Sequence, residues 1–393
     1  MEKYRVKREE NPLCFCEYYN KNNERTHILF CCCNCEAFDQ TCTYILCQRN
    51  RKESDKKSFM KLVDETLDDI LDRIRIPSPN GAIKVNTDLL VSLISIFFYI
   101  SIGTINFIFS LITLMAIPTL LYIRYFQLRF YKSKSEKTRN QIAYYMTLVS
   151  LITVFILYNM YLKYEISEIS YTIHNYLFFL VILFHVLLHY SNPGYLVSKN
   201  SQDERTSRYC DKCQINKQEK ISHCPICEKC IFNRDHHCFW LDNCIGYLNH
   251  KIFLIYLILL FLLFIYSEFI IFTHFSSIKE SESLIECLFN DYYKNFSRSL
   301  MSLLFLQLIS LTLYSALILM QQILLISIGY TQYEMFKYSQ KNKNFALLSF
   351  LCGNLSFKLF FKNMIKFLFQ FRNKKSLLKL FSMNEKLRVN DSV

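Results

Sequence analysis

An all-α polytopic membrane protein with about six transmembrane helices and a small cytosolic cysteine-rich domain is the fold class that the sequence predicts. Three observations lead there. Apolar residues make up 52% of the 393 positions and gather in runs far longer than a soluble helix requires. Seven cysteines and three histidines crowd into one polar segment, Cys210 to Cys244, between two such runs. Charged residues sort by sign into different loops, as they do in chains that cross a bilayer repeatedly.

The segment ahead of the first run, 1–88, begins polar and basic at Met1-Glu2-Lys3-Tyr4-Arg5, and the first apolar run starts only at Leu89. A secretory signal peptide would put its apolar stretch within roughly the first 30 residues, so this segment is expected to stay in the cytosol. Within it, Phe59, Leu62, Val63, Leu67, Ile70, Leu71 and Ile74 recur at helical spacing with charges between them, and Pro77 ends the run. That is the pattern of an amphipathic helix. The same segment holds Cys14, Cys16, Cys31, Cys32, Cys33, Cys35, Cys42 and Cys47. Three adjacent cysteines fit a tetrahedral metal site poorly; S-acylation beside a membrane, a further metal module and unused thiols are the open readings.

A span of the hydrocarbon core takes about 20 residues. Four are clear: roughly Tyr144 to Leu162, Tyr176 to His189, Phe253 to Phe275 and Leu300 to Ile328. The 35 residues from Leu89 to Ile123, with Gly103 near the middle and Pro118 later, fit two short spans joined by a tight turn better than one long helix. The loop 124–139 carries Arg124, Arg129, Lys132, Lys134, Lys137 and Arg139, whereas 276–298 leans acidic with Glu280, Glu282, Glu286 and Asp291. The positive-inside rule makes the first loop cytosolic and the second lumenal. Alternation then puts both termini and the cysteine-rich segment on the cytosolic side. Asn295-Phe296-Ser297 is an N-glycosylation sequon on the lumenal loop, close to the next span.

After the last span, 358–379 mixes Phe and Leu with Lys and Arg, a composition suited to a membrane surface or to packing on a basic domain. The formal net charge of +13, carried outside the apolar runs, suits anionic headgroups or a phosphate-bearing ligand. No nucleic-acid partner is expected of so apolar a chain.

Cys210 and Cys213 form one CxxC pair, His223 follows, Cys224 and Cys227 form a second pair, and Cys230, His237, Cys238 and Cys244 continue the series. A CxxC turn presents two thiolates to one ion, and structural zinc takes four sulfur or nitrogen ligands in a tetrahedron. In a reducing cytosol these thiols are not expected to pair as disulfides. The candidate ligands number ten, the seven cysteines with His223, His236 and His237, and two closed sites use all but two of them. Spacing alone does not say which two are spared. If they are His236 and Cys238, then a thiol, a nearby base and Asp235 supply a nucleophile, its base and a group to orient the base. The alternative is a wholly structural zinc-binding module.

The series Cys210-x2-Cys213, His223-Cys224-x2-Cys227-x2-Cys230, Asp235-His236-His237-Cys238, Cys244, Asn249 and Phe253 resembles the cysteine-rich domain of the DHHC family of protein S-acyltransferases. Outside it, Asn192-Pro193-Gly194 is similar to the family's Asp-Pro-Gly, with Asn replacing Asp. Thr331-Gln332-Tyr333-Glu334 is similar to its Thr-Thr-x-Glu, with Gln332 departing. Asn363 with Phe367 and Phe369 resembles its C-terminal aromatic and Asn motif. Lys217-Gln218-Glu219-Lys220 lacks the usual proline and arginine, and Phe239 stands where proline is common. The Cys31-Cys32-Cys33-x-Cys35 run is similar to the branch of DHHC proteins described as partners of neuronal nitric oxide synthase.

The resemblance implies a palmitoyltransferase with two structural zinc ions, one held by Cys210, Cys213, His223 and Cys230, the other by Cys224, Cys227, His237 and Cys244. Cys238 is then the nucleophile, His236 its base and Asp235 the orienting group. Palmitoyl-CoA is the implied donor, and cysteines of membrane-associated proteins are the acceptors, in a ping-pong reaction through an acyl-enzyme. Residence in the endomembrane system, ER or Golgi, follows, with the plasma membrane as an alternative. The expected layout is a cytosolic region at 1–88, four helices and their loops at 89–199, the cysteine-rich zinc domain at 200–252, two helices with a lumenal loop at 253–328 and a basic cytosolic tail at 329–393. A non-catalytic membrane scaffold whose zinc domain recruits partners is the competing function; a transporter would need a charged pathway that the spans lack.

Arg208, Lys212, Lys217, Lys220, Arg234 and Lys251 either meet the CoA phosphates or form a solvated face. His185 and His189 lie four apart in the fourth span, where local hydrogen bonding is the expectation over a metal pair. Glu268 is an ionisable group at a costly depth. Trp240 either anchors the loop at the interface or packs within the zinc domain. Asp391-Ser392-Val393 has the form of a PDZ-domain ligand.

Overall fold

A computed structural model describes residues 17–20, 25–27, 74–116, 119, 141–163, 166–198, 209–216, 220–278, 296–341, 357–369 and 387–389. The N-terminal cysteines, the amphipathic pattern from Phe59 to Leu71, the basic loop 124–139, Asn295, Arg208, Lys217 and the C-terminal tripeptide lie outside the described residues. Two compact units form, Met1–Val91 and Ser92–Val393. In the first, β1 (Glu17–Tyr19) pairs with β2 (Arg25–His27) and β3 (Arg75–Ile76) with β4 (Ile83–Lys84). The Ala82 N–H donates to the Glu17 carbonyl at 2.7 Å and the Arg75 guanidinium lies 3.9 Å over the Tyr18 ring, so the two hairpins hold each other.

The helices in chain order are α1 (Thr87–Gly103), α2 (Phe107–Ala116), α3 (Ile142–Leu162), α4 (Glu168–Tyr190), α5 (His250–Ile278) and α6 (Phe296–Ile328). Among the described residues four, α3 to α6, are long and apolar enough to cross a membrane, and α1 and α2 are shorter apolar helices. The chain is a multi-pass membrane protein. The apolar stretch from Leu89 does break after Gly103. Asn106 Oδ1 accepts from the Phe109 N–H at 3.0 Å to start α2, and Ser110 Oγ donates back to the Gly103 carbonyl at 2.6 Å. Small residues of this pair, Ser92, Gly103 and Ser110, are buried, while Phe97, Ile108 and Met115 are exposed. Helices in lipid associate through such close backbone approach rather than by expelling water.

Helix α4 begins at Glu168, eight residues ahead of the expected Tyr176. Its N-cap is Ser167, whose Oγ accepts from the Ser170 N–H at 3.2 Å. Ser170, Thr172 and His174 depress the hydropathy of this first part, yet His174 is buried and hydrogen-bonded to Ser267 of α5 at 3.0 Å. The bundle core contains Tyr158, Val181, Leu188, Ile271 and Leu308, and Leu241 and Ile245 of the cysteine-rich domain belong to the same apolar cluster. The domain is therefore packed into the end of the bundle rather than tethered to it.

That domain contributes β5 (Tyr195–Ser198), β6 (Tyr209–Cys210), β7 (Ile215–Asn216), β8 (Ile221–Cys224), β9 (Lys229–Phe232), β10 (His236–Cys238) and β11 (Asn243–Ile245). Strands β5, β9 and β8, with β12 (Leu387–Val389) at the edge, make one antiparallel sheet in the order β12-β5-β9-β8; β6–β7 and β10–β11 are hairpins. Two helices follow the bundle, α7 (Gln332–Lys341) and α8 (Phe357–Phe369). Asn363 Nδ2 of α8 donates to the Ser327 carbonyl at 2.7 Å, and Phe367 is buried with Leu254 and Ile326.

Candidate active site

Each CxxC turn ends on a residue in the left-handed region, Gln214 (φ 53°) after Cys213 and Glu228 (φ 54°) after Cys227. The two turns thus curl alike. Each then receives one His–Cys pair facing it across an antiparallel ladder: His223 opposite Cys230 on β8–β9, and His237 opposite Cys244 on β10–β11. His223 Nδ1 lies 3.6, 3.3 and 3.9 Å from the sulfurs of Cys210, Cys213 and Cys230. His237 Nδ1 lies 3.9, 3.3 and 3.6 Å from those of Cys224, Cys227 and Cys244. In both groups the four donor atoms fall within 4.8 Å of one another and could hold a metal ion. Metal–sulfur distances of about 2.3 Å put tetrahedral neighbours about 3.8 Å apart, so the donor sets fit zinc. None of the seven cysteines from Cys210 to Cys244 is in a disulfide.

Successive residues of a strand point to opposite faces. In β10, with His237 turned to the metal group, His236 and Cys238 turn to the other face, toward the helices. His236 Nδ1 donates to Asp235 Oδ2 at 2.8 Å, and Cys238, two positions on in the same strand, turns to the same face as His236. Asp235 is 1% exposed. Burial opposes its charge, but His236, the nearby His250 and the Gln332 N–H outweigh that and hold its carboxyl well below the usual carboxylate range. Burial likewise opposes a charged His236, yet the bond to Asp235 and the proximity of Cys238 prevail and its pKa is pushed up to about 10.

Helix α7 supplies further donors. The Gln332 N–H bonds Asp235 Oδ1 at 2.7 Å and the Tyr333 N–H bonds the Asp235 carbonyl at 3.0 Å. A reciprocal capping box sets that helix start: the Thr331 N–H donates to Glu334 Oε2 at 2.9 Å, and the Glu334 N–H to Thr331 Oγ1 at 3.2 Å. The departure at Gln332 is harmless to this contact because the backbone makes it.

Two asparagines lock the β10–β11 hairpin to the bundle. Asn243 Nδ2 donates to the carbonyls of Leu188 and Ser191 at 2.8 and 2.7 Å, satisfying the end of α4. Asn249 accepts from the Gly246 N–H at 2.9 Å and donates to the Cys244 carbonyl at 3.0 Å. At Gly246 a Cβ would sit 2.6 Å from the Pro193 carbonyl oxygen, so glycine is required where the Asn192-Pro193-Gly194 turn crosses.

Cys238 opens on a cavity of about 650 Å³ that runs into the bundle, lined by Tyr99, Leu151, Phe264, Leu303 and Tyr314 among others. Trp240 lines it too and donates to the Tyr314 hydroxyl at 2.9 Å, so the tryptophan packs on α6. The other residues singled out from sequence have local roles. Arg234 donates to Ser222 Oγ at 2.8 Å and stacks over Tyr333, and Lys251 donates to the Leu368 carbonyl at 2.7 Å; Lys212 and Lys220 are exposed. His185 bonds the Tyr256 hydroxyl at 2.9 Å and His189 the Leu241 carbonyl at 2.8 Å, and neither belongs to a metal-binding group among the described residues. Glu268 accepts from Thr312 of α6. Sequence motifs did not point to Gln322 or His250, which bond to each other beside Asp235. A glutamine inside an apolar helix was the available signal.

Residues 203–339 match the family model described as DHHC palmitoyltransferase. Over most of its length the chain is similar to Palmitoyltransferase ZDHHC23 of Homo sapiens, 24% identical across 83% of this chain and 90% of the relative. The Mus musculus protein of that name is 25% identical across 83% and 85%. A short, dense likeness to Palmitoyltransferase ZDHHC2 of Mus musculus, 52% identical over 50 residues, covers 13% of this chain and 14% of that one.

Proposed function

The chain belongs to the DHHC palmitoyltransferase family, and from that premise we propose that it transfers a long-chain acyl group from acyl-CoA to Cys238 and then to cysteines of membrane-associated proteins. One observation carries the reading: a thiol and an imidazole on the same face of one strand, the imidazole fixed by a buried carboxylate, both lining an apolar cavity.

With its proton held on His236, the sulfur of Cys238 attacks the thioester carbonyl. The bond to the CoA sulfur breaks and His236 returns the proton to that leaving thiolate. An acceptor cysteine then repeats the exchange in reverse, so Cys238 is regenerated in a ping-pong cycle. One thioester replaces another at each step, and no energy source is needed. Asp235 keeps the Nδ1 proton of His236 in place, leaving Nε2 for the thiol. The chain itself settles in the cavity, where each buried methylene contributes about 0.8 kcal/mol.

Cys210, Cys213, His223 and Cys230 would hold one zinc ion and Cys224, Cys227, His237 and Cys244 a second; the ions supply rigidity to the strands that carry the site. The layout read from the loops, with the cysteine-rich domain on the cytosolic side of an endomembrane, supports access to acyl-CoA there. The likeness to ZDHHC23 over most of the chain supports assignment to that branch. Incubating the purified protein with labelled palmitoyl-CoA tests the reading: hydroxylamine-sensitive label on the wild type, absent from Cys238→Ser, is the expected result. No label on either would favour the scaffold.

A further inference from the structure

We infer that Gln322 and His250 are positioning residues of the acyl-transfer site, forming a directional hydrogen-bond relay that fixes the Asp235 carboxylate and, through it, His236. The inference rests on the acyltransferase reading above and adds two residues to it. Gln322 lies in α6, 1% exposed and within a helix of predominantly apolar sequence. A buried amide in such a helix is costly unless both of its ends are bonded. Both are: Nε2 lies 3.1 Å from Asp235 Oδ2, and Oε1 lies 2.9 Å from His250 Nε2.

The partners dictate the direction. An ionised carboxylate only accepts, so the amide nitrogen must face Asp235. The amide oxygen then faces His250 and only accepts, so His250 Nε2 carries a proton. Every donor in the relay points the same way, from His250 to Gln322 to Asp235. The oxygen that Gln322 reaches, Oδ2, is the one that orients His236, while Oδ1 takes the Gln332 N–H. Three donors on two oxygens leave the carboxylate one rotational setting. His250 is held in turn: it opens α5, is 4% exposed and meets the buried Phe367 ring edge-on at 5.1 Å.

The test uses the full-length protein and four readouts: the rate of acyl-enzyme formation on Cys238, KM for palmitoyl-CoA, bound zinc, and the rate at which iodoacetamide alkylates Cys238, read by mass spectrometry. Gln322→Leu removes the relay; His250→Phe keeps a ring against Phe367 but removes the donor; His250→Gln returns an N–H. Gln322→Leu is expected to slow acyl-enzyme formation roughly ten- to hundredfold, the worth of one hydrogen bond to a charged group, with KM and zinc unchanged. His250→Phe should slow it less, and His250→Gln should recover most of that loss. The double variant should be no slower than Gln322→Leu alone, because His250 acts through Gln322. Alkylation should follow the same order. Wild-type rates in both single variants, a double variant that falls by the product of the two, or zinc lost in step with rate would each overturn the relay. If the wild type takes no acyl group while alkylation keeps the order, the relay stands and the acyltransferase reading falls.

Discussion

His237 and Cys244 face each other across the β10–β11 hairpin, Nδ1 and Sγ 3.6 Å apart, and this pairing turns His236 and Cys238 to the opposite face. Roles within these three consecutive residues are thereby divided by strand geometry. Cys224→Ala removes a donor from the His237 group and is expected to lower bound zinc and destabilise the hairpin, whereas Cys238→Ser should keep the full complement. Elemental analysis of the purified variants checks this. Equal metal loss in both would make Cys238 a ligand.

Asp235 accepts from His236, Gln322 and the Gln332 backbone. An amide has one acceptor oxygen and a donor nitrogen, so Asp235→Asn must set a donor against a donor at one of these contacts and also frees the His236 tautomer. Single-turnover acyl-enzyme formation is expected to fall by about a thousandfold or more, as when the orienting carboxylate of a serine triad is lost. A variant within tenfold of wild type would remove Asp235 from the mechanism.

Much of this site was legible in the sequence because its residues lie close together: the CxxC turns, His223, His237 and the Asp235-to-Cys238 run fall within one short segment. The lengths of the apolar runs also located α3, α5 and α6 and the break near Gly103. What escaped came from far along the chain. Gln322 reaches Asp235, and His250 reaches Gln322, only when α5 and α6 are packed, and the one local signal was a glutamine inside an apolar helix. The start of α4 was hidden for a related reason, since His174 lowers hydropathy and yet is buried by a partner on another helix. The β-strands of the cysteine-rich domain are too short for alternation to reveal; metal-ligand spacing was the stronger signal, and the strand register explains that spacing afterwards.

Gln332 is the first residue of α7, and its N–H rather than its side chain reaches Asp235. Proline is well tolerated at a helix's first position and has no N–H, so Gln332→Pro deletes one hydrogen bond to the carboxylate while keeping the helix. Acyl-enzyme formation should fall roughly ten- to hundredfold, and Gln332→Ala should cost far less. Equal losses in the two variants would assign the effect to the side chain instead.

Gly103 packs where α1 meets α6: a Cβ there would lie 2.8 and 2.9 Å from the terminal carbons of Leu303, a residue of the cavity wall. Leu303 is 11 residues from Tyr314, which is about 16 Å along the helix. Tyr314 bonds Trp240, two positions from Cys238, so Leu303 stands deep in the space open to an acyl chain, with Leu300 about a turn beyond it. Gly103→Ala must push the Leu303 side chain aside, and because Leu303 lines the cavity, a shift into it shortens the space for the chain. The variant is expected to favour shorter acyl-CoA donors, the palmitoyl-to-myristoyl ratio falling roughly fourfold for each methylene excluded. Competition between differently labelled acyl-CoAs measures that ratio. An unchanged ratio at normal total acylation would show that the chain does not reach Leu303.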